Sequence, residues 1–177
     1  MLARNLARTL GTAAALAVAV AVGTAGAHGE AGHAAAKRIT AAGVGKVKLG
    51  KTFGRLRSAG LVGRLRPGCE LGGPDTRSAR LRAPLKGSVD FTTTSPRRVR
   101  SISVTGGARA RGVGIGASIA DIEAAFPKAK IDHGTEDVFG LTLVKIPRRG
   151  GGRLQFAVPV DTRKVDVIGI PFIAFCE

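Results

Sequence analysis

The fold prediction starts from a phrase that the chain contains twice. Residues 113–126 read VGIGASIADIEAAF, and residues 47–60 read VKLGKTFGRLRSAG. In both copies a glycine and then a Ser or Thr precede apolar residues at helical spacing. Thr52 and Ser118 can accept hydrogen bonds from the unpaired amides of a first helical turn. We therefore predict two short helices with these residues as N-caps, ended by Gly60 and by Pro127.

The repeat continues beyond the two predicted helices, at offsets of 65 and then again 66 residues. Residues 88–92 and 153–157 alternate between apolar and polar side chains, which is typical of half-buried strands. Each stretch is followed by a turn and then by a second apolar strand, at 99–104 and 165–170. The predicted fold class is therefore α+β: a tandem repeat of two units, each a short helical segment packed on a small antiparallel β-sheet. Repeat one covers 40–106 and repeat two covers 107–177.

The first 27 residues have the pattern of an export signal. Arg4 and Arg8 precede a small, apolar stretch, and Ala25-Gly26-Ala27 matches a signal-peptidase site. The apolar run is too short and rich in alanine to favour a membrane span. We predict a signal peptide at 1–27 and a disordered leader at 28–39, with no transmembrane segment in the mature chain. The protein is expected to be secreted or to lie in the cell envelope; a retained anchor is the alternative.

Two cysteines remain after cleavage, Cys69 and Cys176. In an exported chain an even pair most simply forms one disulfide. Two buried free thiols, or one catalytic cysteine, remain open as alternatives.

Positive charge is concentrated in the first half of the chain. Lys and Arg number 28 against 12 Asp and Glu, which gives a formal net charge of +16. Residues 40–107 hold 14 basic and 3 acidic side chains, whereas residues 108–177 hold 10 and 8. Arginine forms two parallel hydrogen bonds with carboxylate or phosphate groups. We predict a basic binding face made of Arg55, Arg57, Arg64, Arg66, Arg80, Arg82, Arg97, Arg98 and Arg100.

The expected partner is an extracellular or envelope protein, or an anionic envelope polymer or lipid. The chain has no Trp and no Tyr, so it lacks the aromatic side chains that best stack on nucleic-acid bases, and no specific nucleic-acid binding is expected. A solvated, arginine-rich surface without a ligand is the alternative interpretation of the charge.

Catalytic chemistry has few candidate residues. His133, within KIDHGTED, is the one histidine outside the predicted leader, and a hydrolytic site needs a positioned base. If cleavage follows Ala27, the amine and imidazole of His28 could bind copper. The glycines of residues 112–116 fit a dinucleotide-binding pattern, but Lys46 and Lys48 stand at the matching positions of the first copy. We predict no enzymatic activity, cofactor or metal; an exported enzyme or copper-binding protein using His133 or His28 is the alternative.

With these motifs in view, the chain resembles the secreted tandem-repeat proteins of the β-lactamase inhibitory protein type and the SmpA/OmlA-type envelope lipoproteins. The similarity lies in an apolar residue, glycine, a variable residue and then Thr or Ser, here Leu49-Gly50-Lys51-Thr52 and Ile115-Gly116-Ala117-Ser118. Cys69 and Cys176 also match positions that are usual in such proteins. The resemblance implies a helix-and-sheet repeat and a non-enzymatic, protein-binding role.

Overall fold

Both copies of the quoted phrase form a short, capped helix. In the first helix (α1, Phe53–Ser58), the Thr52 hydroxyl accepts a hydrogen bond from the Arg55 amide at 3.5 Å. The second (α2, Ile119–Ala125) begins with a reciprocal capping box, in which Ser118 Oγ accepts from the Asp121 amide and Asp121 Oδ2 accepts from the Ser118 amide. Each helix has one buried residue, Leu56 in α1 and Ile122 in α2.

The structure is a computed structural model that describes residues 36–69, 74–147 and 153–175. These residues belong to one compact unit, His33–Glu177. A third helix is α3 (Glu136–Phe139). The strands are β1 (Lys37–Thr40), β2 (Gly43–Val44), β3 (Val47–Lys48), β4 (Arg66–Pro67), β5 (Arg77–Arg80), β6 (Lys86–Phe91), β7 (Val99–Gly106), β8 (Ala108–Arg109), β9 (Lys130–Asp132), β10 (Leu141–Pro147), β11 (Arg153–Pro159) and β12 (Val167–Ile170).

Eight of these strands form one antiparallel sheet. Its order is β4-β5-β6-β7-β12-β11-β10-β9, so residues 66–106 form one half and residues 130–170 form the other half in mirror order. The halves join where β7 pairs with β12, with Val104 opposite Ile168 and Ile102 opposite Ile170. All four of these side chains are fully buried. Burial of this apolar seam holds the halves together as one sheet.

One face of the eight-stranded sheet carries the main core. A four-stranded sheet, β3-β2-β1-β8, and the two capped helices pack on that face. Buried residues from all three parts form one cluster, which includes Val44, Leu56, Ile122 and Phe156. The opposite face, called here the open face, is more polar. Strand register places Ser88 opposite Ser103 and Gln155 opposite Lys145 on it.

Residues 171–175 cross part of the open face. The Ile173 amide donates a 2.8 Å hydrogen bond to the side-chain oxygen of Gln155, which is buried. Ile173 also packs with Leu143 and Ala157 in a second, smaller apolar cluster. The ring of Phe175 stacks on Phe139, with ring centroids 4.7 Å apart. This segment therefore covers apolar side chains that would otherwise face water.

The predicted α+β fold class is wrong. Strands account for 44% and helices for 13% of the structure, and its sheets have four and eight strands. It is not a pair of units that each pack a helix on a small sheet. Gly60 and Pro127 end the helices early, and the pairing of β7 with β12 merges strands that local sequence patterns had assigned to separate sheets. The pattern also gave no sign of the short strands β1, β2 and β3.

The predicted signal peptide at 1–27 lies outside the described residues, as does most of the predicted leader at 28–39. The last residues of that leader, from Lys37 onward, belong to β1. Among the described residues, no helix has both the length and the apolar character needed to cross a membrane.

Candidate anion-binding site

Two copies of the tripeptide Arg-Leu-Arg lie side by side in the structure. Residues 61–67 run antiparallel to residues 77–82, with Val62 opposite Leu81 and Arg66 opposite Ser78. The Gly63 amide donates to the Arg80 carbonyl at 2.8 Å, which holds the two segments together between those pairs. The tripeptides 64–66 and 80–82 are thus neighbours although they are distant in sequence.

The first of these segments contains one extra residue. Val62 and Arg66 are four positions apart in the chain, but their partners Leu81 and Ser78 are three positions apart. Such a β-bulge bends a strand and redirects its side chains. Here Val62 is fully buried and Leu65, three positions later, still packs against the core. The bulge therefore lets both arginines beside Leu65 remain exposed.

The arginines of the two tripeptides line a single open cleft of about 500 Å³. All four arginines are exposed, whereas Leu81 is buried. The described lining is Gly63, Arg64, Leu65, Arg66, Arg80, Leu81 and Arg82. It contains no carboxylate, so the cleft concentrates positive charge. We call it the arginine cleft.

Ion pairing does not neutralise these arginines within the described part of the chain. The salt bridges found there are His133 with Glu136, at 2.5 Å, and Lys145 with Asp132. Neither involves an arginine. The guanidinium groups of the arginine cleft are therefore not matched by carboxylates among the residues that the structure describes.

The other five arginines of the predicted basic face lie elsewhere. Arg55 and Arg57 are exposed on α1, and Arg57 donates to the Val62 carbonyl at 3.4 Å, which places it beside the start of the 61–67 segment. Arg97 and Arg98 lie in the turn before β7, and Arg98 donates to the Gly50 carbonyl. Arg100 lies over the ring of Phe172. The structure thus brings four of the nine arginines into one cleft.

A second cleft of about 300 Å³ adjoins the first, and Arg82 lines both. Its remaining cations are Lys37 and Lys46, which are not among the arginines predicted to form the basic face. These lysines belong to β1 and to the β2–β3 turn, and no local motif shows that either lies next to residue 82. The rest of the lining is mainly apolar: Gly45, Val47, Gly60, Leu61, Ala83, Pro84 and Leu85. We call this the apolar cleft.

His133, the residue of the catalytic alternative, lies on an exposed turn. Its Nδ1 atom is 2.5 Å from Glu136 Oε1, and that carboxylate also accepts the hydroxyl of Thr142. Hydrogen bonds from Thr142 and His133 hold the pKa of Glu136 below its ordinary value. Among the described residues, no group of three His, Cys, Asp or Glu side chains is placed to hold a metal ion. His28 lies outside the described residues.

A smaller pocket of about 190 Å³ lies beside residues 172–175 on the open face. It contains the Asp90 carboxylate, which accepts a 2.9 Å hydrogen bond from the Ser101 hydroxyl. Burial raises the pKa of Asp90, although the Ser101 hydrogen bond and the positive charge of Arg100 act in the opposite direction.

Cys69 also lines that pocket. It is disulfide-bonded, and its Sγ lies 3.2 Å from the carbonyl oxygen of Phe175. The predicted partner Cys176 follows Phe175 and lies outside the described residues, so the pairing of Cys69 with Cys176 stays a prediction.

Comparison with known proteins gives no assignment: no family model, no curated protein and no solved structure matches the chain. The resemblance to the β-lactamase inhibitory protein type and to the SmpA/OmlA type therefore stays a prediction.

Proposed function

We propose that this protein is an exported, non-catalytic binding module that holds anionic groups of an envelope or extracellular partner in the arginine cleft. The observation that carries the proposal is the convergence of Arg64, Arg66, Arg80 and Arg82 on one open cleft. Two segments that are separate in sequence supply the four guanidinium groups.

The chemistry of arginine supports this function. A guanidinium group stays protonated at any physiological pH and offers paired N–H donors that match carboxylate and phosphate oxygens. The cleft therefore supplies charge and donors, but its guanidinium groups cannot act as a general base or a nucleophile. Like charges held near one another on paired strands also repel, which a bound anion would relieve. Binding is thus the activity that this arrangement supports best.

The test measures binding of inorganic polyphosphate and of poly-glutamate to the purified protein by calorimetry over a range of NaCl concentrations. The variants R64Q/R66Q and R80Q/R82Q each remove two charges from the cleft. We expect each to weaken binding by about tenfold or more, because charge-assisted hydrogen bonds contribute about 1.5–3 kcal/mol each. The dependence of affinity on salt should also become shallower.

The matched control is R153Q/R163Q, which removes the same charge from two exposed arginines that do not line the cleft. It should change the affinity by no more than about twofold, the size of a screened, long-range charge effect. The variant R80K/R82K keeps the charge but loses the paired donors, so it should bind more weakly than the unmodified protein. Equal losses in the cleft and control variants, or no binding of either polyanion, would contradict the proposal.

A further inference from the structure

The apolar cleft continues the arginine cleft and differs from it in character. Val47 is fully buried at its base and Leu85 is 8% exposed, and Leu61 packs against the core beside them. Lys37, Lys46 and Arg82 supply the positive charge. The whole site therefore has a strongly basic part and an apolar part with a cationic border. A ligand that fills both must carry several negative charges and at least one apolar group.

Backbone hydrogen bonds form the walls of the apolar cleft. The Arg82 amide donates to the Leu61 carbonyl at 3.0 Å, and the Leu85 amide donates to the Arg82 carbonyl at 3.1 Å. The Leu61 amide in turn donates to the Leu56 carbonyl of α1 at 2.9 Å. The apolar cleft is thus shaped by α1 and the turn at residues 82–85, and is formed before any ligand binds. Its volume is at the small end of the usual range for ligand sites.

We propose that the two clefts together bind an extended acidic polypeptide segment, with alternate carboxylates on the arginines and one apolar side chain in the apolar cleft. This inference rests on the proposed function and names the class of partner. It explains why an apolar cleft lies against a basic one.

Spacing favours an extended peptide. Arg80 and Arg82 are two residues apart on an extended segment, in which the Arg80 carbonyl accepts from the Gly63 amide and the Arg82 amide donates to the Leu61 carbonyl. Residues two apart along a strand are separated by about 6.5–7 Å. Alternate side chains of an extended peptide have the same separation. Two carboxylates at positions i and i+2 of the partner can therefore meet Arg80 and Arg82 without distortion.

The position of the arginine cleft in the sheet is consistent with such a partner. Arg66 belongs to β4, the outermost strand at one end of the eight-stranded sheet. Edge strands are places where an additional extended chain can align with a sheet. A lipid, by contrast, would present its phosphate at one point, whereas the cations here are spread along two neighbouring segments and continue to Lys37 and Lys46.

The test measures, by fluorescence anisotropy, how tightly three labelled peptides bind to the full-length protein. The first alternates Glu with Ser and ends with Leu, the second has the same composition with all Glu residues adjacent, and the third replaces Leu by Ser. We expect the first to bind at least about tenfold more tightly than either of the others. Inorganic polyphosphate and phosphatidylglycerol vesicles are measured in parallel.

The variant Ala83→Leu fills the apolar cleft from an exposed position without changing charge. It should abolish the advantage of the Leu-containing peptide over its Ser counterpart. Ala120→Leu, on the exposed surface of α2, is the matched control and should preserve that advantage.

Each remaining outcome has a defined meaning. If polyphosphate binds but the three peptides bind equally, the peptide inference is wrong and the proposed function stands. If vesicles bind in an R80Q/R82Q-sensitive way and the peptides do not bind, the partner is a membrane surface and the inference is again wrong. If neither polyphosphate nor any peptide binds, both the inference and the proposed function fail.

Discussion

Single residues determine the local chemistry of the arginine cleft. The alternation of Arg and Leu in 64–66 and 80–82 separates an apolar group that packs inward from cations that remain in water. One extra residue in the first segment allows Val62 and Leu65 to face the same core although they are three positions apart. Placing two arginine pairs on these two neighbouring segments therefore depends on both the alternation and the bulge.

Asp90 offers a test of the pocket at the residue scale. Its pKa is raised mainly because burial removes solvent from the carboxylate. An unfolded Asp has a pKa of about 3.9. Since the folded protein holds this proton more tightly, Asp90 makes the folded state less stable as pH rises from the unfolded pKa through the folded one. We expect the change in melting temperature caused by Asp90→Asn to be more favourable at neutral pH than near pH 3.

The control for this experiment is Asp166→Asn, which removes a carboxylate from an exposed position. It separates the burial of Asp90 from the general effect of losing negative charge in a basic protein. If Asp90→Asn lowers the neutral-pH melting temperature more than Asp166→Asn does, the Asp90 carboxylate is stabilised by its neighbours rather than penalised by burial. That result would contradict the raised pKa.

Among the elements, the segment at 171–175 depends on one close contact. It passes so near β12 that a Cβ atom added to Gly169 would lie 2.4 Å from Ile173 Cγ1 and 2.7 Å from the Ile173 amide nitrogen. No side chain fits there unless the segment moves. Gly169 is therefore needed to let residues 171–175 cover the open face, and the hydrogen bond from Ile173 to Gln155 depends on that approach.

We expect Gly169→Ala to destabilise the protein by about 1–3 kcal/mol, the usual range for forcing extra atoms into a packed site. Hydrogen exchange at the Ile173 amide should accelerate because its bond to Gln155 is lost. Calorimetry and exchange mass spectrometry measure the two effects.

Gly54→Ala is the matched control for this prediction. Gly54 lies inside α1, and an added Cβ would have no atom within 4 Å. Since Ala favours helix over Gly by up to about 1 kcal/mol, this substitution should be neutral or stabilising. Normal exchange at Ile173 in Gly169→Ala would show that the close contact does not position the segment.

At the scale of the whole molecule, the dominant feature is uncompensated positive charge. The chain carries a formal charge of +16, and the described residues contain ion pairs only at His133–Glu136 and Lys145–Asp132. Repulsion between like charges destabilises a compact state. Raising NaCl from about 10 mM to about 150 mM shortens the screening length from about 30 Å to about 8 Å. We expect the melting temperature to rise over this range.

A protein held together by surface ion pairs would show the opposite trend, because salt would weaken them. A falling melting temperature would therefore contradict this account of the charge. The variant R64Q/R66Q/R80Q/R82Q should show a smaller increase with salt than the unmodified protein, since four like charges that share one cleft have been removed.

The sequence predicted features that depend on neighbouring residues. The hydroxyls of Thr52 and Ser118 are placed by positions within one helical turn, and the strands at 88–92, 99–104 and 153–157 are visible in local alternation. The α+β prediction was wrong because the pattern shows that strands exist and gives no information about their partners. Nine arginines were predicted to form a basic face from their clustering and from the alternation in the Arg-Leu-Arg tripeptides, and four of them line the arginine cleft.

What the sequence by itself determined, then, is the chemistry of short segments: two capped helices that end early, alternating strands, an excess of positive charge and two Arg-Leu-Arg tripeptides. Only the tertiary structure decided that β7 joins β12 in one eight-stranded sheet and that the tripeptides at 64–66 and 80–82 line one cleft beside Lys37 and Lys46. The physical reason is the distance along the chain over which each interaction acts. Caps and alternation arise within a few residues, whereas strand pairing and cleft formation depend on burying apolar surface between segments that are far apart in the chain.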